Sequence, residues 1–120
     1  MKLAVTSQGN SLQSPLDPRF GRAKYFVVVD TETGDFSAVD NALNLNAAQG
    51  AGIQAGKRVA ELGVKTLITG HVGPKAFSTL KAAGVKIHSG ASGSVAEAIE
   101  QFKRGKLTAA ASADVDGRWA

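Results

Sequence analysis

Two histidines, one arginine in a glycine-flanked loop and no cysteine define the chemistry open to this chain. Imidazole is the side chain here that offers a neutral nitrogen to a metal near neutral pH. Without thiols, disulfides, zinc fingers, thiol nucleophiles and all-thiolate iron–sulfur sites are excluded. His71 stands in Ile68-Thr69-Gly70-His71-Val72-Gly73-Pro74, at the end of a buried strand-like run, and is the one candidate metal ligand. His88 closes a short edge strand and is expected on the surface. Arg19 either pairs with Asp17 or meets an anionic ligand, for which a guanidinium in a glycine-flanked loop is suited.

Catalysis is harder to assemble. The acids Asp17, Asp30, Glu32, Asp35, Asp40, Glu61, Glu97, Glu100, Asp114 and Asp116 fall mostly on a hairpin, helix faces or the C-terminal stretch. The first strand carries none, so a two-metal nuclease centre lacks its starting ligand. Ser7 and Ser89 have no evident His–acid partner in sequence. Gly50-x-Gly52-x-x-Ala55 fits the loose dinucleotide fingerprint, yet Asn41–Gln49 before it is not a strand and no acid ends the next one. Gly56-Lys57 lacks the upstream glycine and the following Ser or Thr of a P-loop. An enzyme is the least favoured class.

The elements that must position these residues follow from periodicity. Strands are expected at Lys2–Thr6, Tyr25–Asp30, Phe36–Val39, Val64–Thr69 and Val85–His88, the second and third forming a hairpin around Thr31–Gly34. Ser7–Ala23 and Asp40–Gln49 are polar loops. Gly52, Ala55, Val59 and Leu62 share one helical face, ended by Gly63. Pro74 opens a second helix with the stripe Ala76, Phe77, Leu80 and Ala83. Ser94 and Glu97 have capping-box spacing before Val95, Ala98, Ile99 and Phe102. The order β-β-β-α-β-α-β-α predicts an α/β domain with a mainly parallel sheet.

In such a sheet, ligands lie beyond the carboxyl ends of the strands. That end gathers Ser7–Gly21, Ala48–Gly52, Gly70–Gly73 and Ser89–Gly93, so Gly50, Gly52, Gly70, Gly73, Ser89 and Gly90 join Arg19 and His71 as candidate binding residues. Three helix N-termini would face one anion-favouring crevice.

Length and composition are consistent with this. The 120 residues amount to one domain, read as 1–107 with a mobile tail at 108–120 that holds Trp119. Fourteen glycines against three prolines mark turns rather than low complexity. A net charge of +4 suits an anionic ligand but is too scattered for nucleic acid. No apolar run is long enough to span a membrane, and Met1–Ser7 is too short for a signal peptide, so a cytoplasmic protein is expected.

Asp17-Pro18-Arg19-Phe20-Gly21-Arg22-Ala23-Lys24-Tyr25-Phe26 resembles a signature of the dinitrogenase iron–molybdenum cofactor biosynthesis family. Gly50-Ala51-Gly52-Ile53-Gln54 and Gly70-His71-Val72-Gly73-Pro74-Lys75-Ala76-Phe77 are similar to its small stand-alone members. The likeness runs from Met1 to Leu107. It implies a ribonuclease-H-like three-layer α/β/α domain with a five-stranded mixed sheet in order 3-2-1-4-5, strand 2 antiparallel. It adds Phe20 and Gly21 to the binding residues. It also implies a non-catalytic protein, monomeric or weakly dimeric, that carries an iron–sulfur or iron–molybdenum cluster or a precursor between donor and acceptor proteins. Nitrogenase-associated members have a histidine, implicated in holding the cofactor, where Arg19 stands. A guanidinium stays protonated and cannot ligate, leaving His71 as the neutral donor and any cluster transiently held. A metal-free module for a small anionic metabolite or nucleotide is the alternative.

Overall fold

A computed structural model describes residues 1–41 and 51–110. Of the expected Asp40–Gln49 loop, Asp40 ends a strand and residues 42–49 lie outside the described residues, as do Gly50 and Trp119. Six strands form one sheet in the order β3-β2-β1-β4-β5-β6. They are β1 (Lys2–Ser7), β2 (Tyr25–Asp30), β3 (Phe36–Asp40), β4 (Thr66–Ile68), β5 (Lys86–Ser89) and β6 (Thr108–Ala109). The helices are α1 (Ala51–Glu61), α2 (Pro74–Ala82) and α3 (Val95–Lys103).

β1 runs parallel to β4, and β4 to β5, while the β1–β2–β3 meander is antiparallel throughout. Ser7 lies opposite Tyr25, and Tyr25 opposite Asp40, so β1 and β3 end at the same sheet edge. The chain leaves β3, β4 and β5 from that edge, and each departure leads into a helix.

Alternation along the central strands divides the interior into two layers. Leu3, Val5, Val27, Val29 and Ile68 pack with Val95, Ala98 and Ile99 of α3. Ala4, Phe26, Leu67 and Ile87 pack with Ala55 and Val59 of α1 and Ala76 and Leu80 of α2. Two helices therefore cover one face and one covers the other. The period-2 and period-3.6 patterns meet as expected.

The sheet departs from expectation at its far edge. Six strands stand where five were expected, because Thr108–Ala109 pairs antiparallel with Ser89 and His88 at what was read as the start of a tail. Ala110 N–H extends the contact to Ile87 O at 2.8 Å. His88 also differs from the surface residue expected. Its ring meets Phe102 of α3 edge-on, with centroids 4.9 Å apart, and its Nδ1 is buried without a hydrogen-bond partner. Burial foremost, and Lys86 next, hold its pKa below the usual histidine value.

Candidate functional site

The Ser7–Ala23 segment lies across the carboxyl ends of β1 and β4, held by backbone pairing and by its buried Leu16, Phe20 and Ala23. Leu16 bridges Ser7, and Leu16 N–H donates to Gly93 O at 2.9 Å. Further along, Arg19 and His71 form a parallel bridge. His71 N–H donates to Pro18 O at 2.7 Å and Phe20 N–H to His71 O at 3.3 Å. This pairing places the fixed cation and the imidazole side by side, although 52 residues separate them in sequence.

Beneath the bridge is a buried polar floor. Thr6 and Thr69 are both fully buried; their hydroxyls lie 3.0 Å apart, and Thr6 Oγ1 donates to Asp17 O at 2.7 Å. Asp17 is 4% exposed, and its Oδ1 accepts the Arg19 N–H at 3.0 Å. The same oxygen lies 4.0 Å from Arg19 Nε, whose side chain is half exposed. Desolvation pushes the Asp17 pKa up, opposed by the Arg19 N–H hydrogen bond and by the charges of Arg19 and Lys24.

The predicted glycines divide by role. A Cβ on Gly70 would fall 2.7 Å from Pro18 Cα and 2.8 Å from Pro18 O, so this glycine admits the close approach of the loop. Gly90, at φ +82°, turns the chain after β5, and its N–H donates to Gly70 O at 3.0 Å. Gly73 is buried at the N-cap of α2 and Gly52 is buried in the first turn of α1. Gly21 is buried too, its carbonyl 3.4 Å from Asn41 Nδ2. Ser89 pairs with Thr108 at the sheet's far edge, on the other side of β4 from the Arg19 loop. Phe20 is fully buried against Phe26, ring centroids 5.6 Å apart, and anchors the loop in the core instead of facing a ligand.

The helix N-termini are not equivalent. At α3 the capping box forms as expected, Ser94 Oγ accepting Glu97 N–H and Glu97 Oε1 accepting Ser94 N–H. The loop then takes the remaining donors: Val95 N–H goes to Ser14 O and Ala96 N–H to Leu12 O, both at 2.9 Å. That end is closed to an anion, which corrects the expectation of three open N-termini. At α2 the N-cap is Gly73, which makes no side-chain cap, and Pro74 follows it. Phe77 N–H is the first to bond back, to Gly73 O, so Lys75 and Ala76 N–H precede the helical ladder. The α2 end can still receive negative charge.

Asp17, Thr6 and Thr69 are the residues sequence reasoning undervalued. The signal was present in Asp17-Pro18-Arg19, since an Asp two residues before a backbone donor is a turn former. Among the described residues, no three His, Cys, Asp or Glu side chains gather as a metal site.

The dinitrogenase iron-molybdenum cofactor family model matches residues 1–105 of this chain. The chain belongs to the dinitrogenase iron-molybdenum cofactor family. Within this family setting, the chain is similar to the orange protein from Desulfovibrio gigas, solved in its apo form. The two are 43% identical, with a TM-score of 0.92 over 95% of this chain and 96% of that one. A putative NifB protein from Thermotoga is 41% identical, with a TM-score of 0.79 over 90% and 91% of the two chains. An uncharacterised protein of Methanocaldococcus jannaschii, MJ0580, is 32% identical over 110 residues, 89% of each chain.

Proposed function

We infer that this family member binds an anionic metal–sulfur cluster, or a precursor of one, as cargo and hands it between donor and acceptor proteins without catalysing a reaction. The Arg19–His71 bridge beside the uncapped α2 N-terminus carries the reading. Arg19 supplies permanent positive charge, Lys75 and Ala76 supply N–H donors, and His71 supplies one neutral nitrogen. One imidazole and no thiolate make a cargo site held by charge and hydrogen bonds, from which release is easy. The family name supports iron–molybdenum cofactor as the cargo, and an iron–sulfur precursor shares its negative charge. A relative solved in an apo form, and named for a colour, fits a protein that holds a removable coloured group. Cytoplasmic placement accords with this handling of oxygen-sensitive cargo.

The second reading is a metal-free site for a small anionic metabolite or nucleotide, favoured by the guanidinium at position 19. Anaerobic purification followed by metal and sulfide analysis and native mass spectrometry separates the two. Co-purifying iron or molybdenum with sulfide is the expected result. A stoichiometric organic anion without metal would install the second reading.

A further inference from the structure

Asp17 is an odd residue to find beside a site for negative charge. Its carboxylate is almost wholly buried, yet it lies against the one guanidinium that an anion at the Arg19–His71 bridge would use. We propose that Asp17 is the charge-setting residue of the crevice: it balances Arg19 while the site is empty and binds a proton more readily when an anion is bound. The inference rests on the reading of the crevice as an anion site and adds a linkage to protons to its binding.

The argument is geometric. Asp17 cannot swing away, because its carbonyl accepts the Thr6 hydroxyl and its Oδ1 accepts Arg19 N–H. Arg19 is held likewise, its flanking residues Pro18 and Phe20 both bonded to His71. An arriving anion therefore meets a guanidinium already facing a fixed carboxylate, and two negative groups compete for one cation. The charged groups acting on Asp17 are Arg19 and Lys24, both cationic; Thr6, from β1, is neutral, as is Thr69 behind it. Once the anion offsets the Arg19 charge, only the Arg19 N–H bond and Lys24 still favour the ionised carboxylate, against a burial that favours its acid form. Protonation removes the competition. By linkage, any factor by which the anion strengthens proton binding is the factor by which the proton strengthens anion binding.

Inorganic sulfate is the probe, because it remains a dianion from mildly acidic to alkaline pH, so any pH dependence belongs to the protein. The Asp17 carboxyl carbon is followed by NMR across pH, with and without saturating sulfate, and Asp17→Asn identifies the resonance. Asparagine keeps an acceptor oxygen for Arg19 N–H while removing the charge. Sulfate is expected to raise the Asp17 midpoint by on the order of half a unit, a factor of roughly three in affinity. Asp17→Asn is expected to bind sulfate about threefold more tightly than wild type above that midpoint, and with a flatter acid limb. Sulfate binding at the crevice with an unmoved Asp17 midpoint would overturn the proposal alone. No amide shift near Arg19 and His71 in any variant would overturn both it and the anion-site reading.

Discussion

Arg19 and His71 illustrate how two side chains of opposite use come to share a site through main-chain bonds alone. His71→Ala removes the neutral nitrogen without opening a core cavity, since the ring is only partly buried. Its stability should change by less than ~0.5 kcal/mol, while cluster uptake from a donor protein, followed anaerobically by absorbance, falls. Arg19→His restores the residue type expected of nitrogenase-associated relatives at this position, and uptake should rise. Equal uptake by wild type and both variants would make imidazole irrelevant and favour the metal-free anion. At His88 the issue is protonation, not ligation. Its lowered pKa means the folded state prefers the neutral ring, so stability is full above the unfolded value near ~6.5 and declines as pH falls below it. His88→Phe retains the packing on Phe102 and should flatten that decline in thermal melts between pH 7 and 5. A decline of equal slope in the variant would place its origin elsewhere.

Single glycines and caps decide how the elements meet. Gly70→Ala would drive a Cβ into the Pro18 backbone, which cannot yield as a flexible side-chain tip would. Overpacking of this kind costs about 1–3 kcal/mol, and here it should also part Arg19 from His71. Denaturant titration should show the loss, and anion affinity should fall with it; unchanged affinity would mean the loop seats independently of Gly70. Ser94→Ala removes the Glu97 N–H acceptor and should cost about 1 kcal/mol in the same assay. The Ser94–Glu97 box was legible in advance because both partners lie within one turn. Its second closure, by Ser14 and Leu12 carbonyls, was not, since backbone acceptors from a distant loop leave no mark in residue type. Gly70 was singled out as a candidate binding residue, whereas its close approach to Pro18, 52 residues earlier in the chain, leaves no mark in the sequence. Thr108–Ala109 escaped notice because two residues are too few to show a period.

Considered as a whole, the molecule is a scaffold whose fold was largely legible and whose site was only half so. Layering, strand direction and helix placement follow from local alternation, whereas the burial of Phe20 and the close approach of Gly70 to Pro18 depend on distant parts of the chain. The remaining electrostatic site has a measurable signature. Anion affinity should fall with salt, because exposed charges are screened beyond ~10 Å at 0.1 M ionic strength, and Arg19 is half exposed. Isothermal titration at low and high chloride checks this, and salt-independent binding would imply an apolar pocket instead.

The Ser7–Ala23 loop belongs to the first quarter of the chain, yet its distant hydrogen-bond partners are His71, Gly93, Val95 and Ala96. A nascent chain emerging from the ribosome carries this loop long before the residues that seat it. Until α3 is made, Arg19 has no neighbour at His71 held in register by a finished sheet, and the crevice does not exist. Domains fold as units once their last long-range contacts become available. The loop thus registers completeness: in an unfinished chain nothing yet holds Leu12, Ser14 and Leu16 against the Gly93–Ala96 segment, and the loop cannot take its final seat.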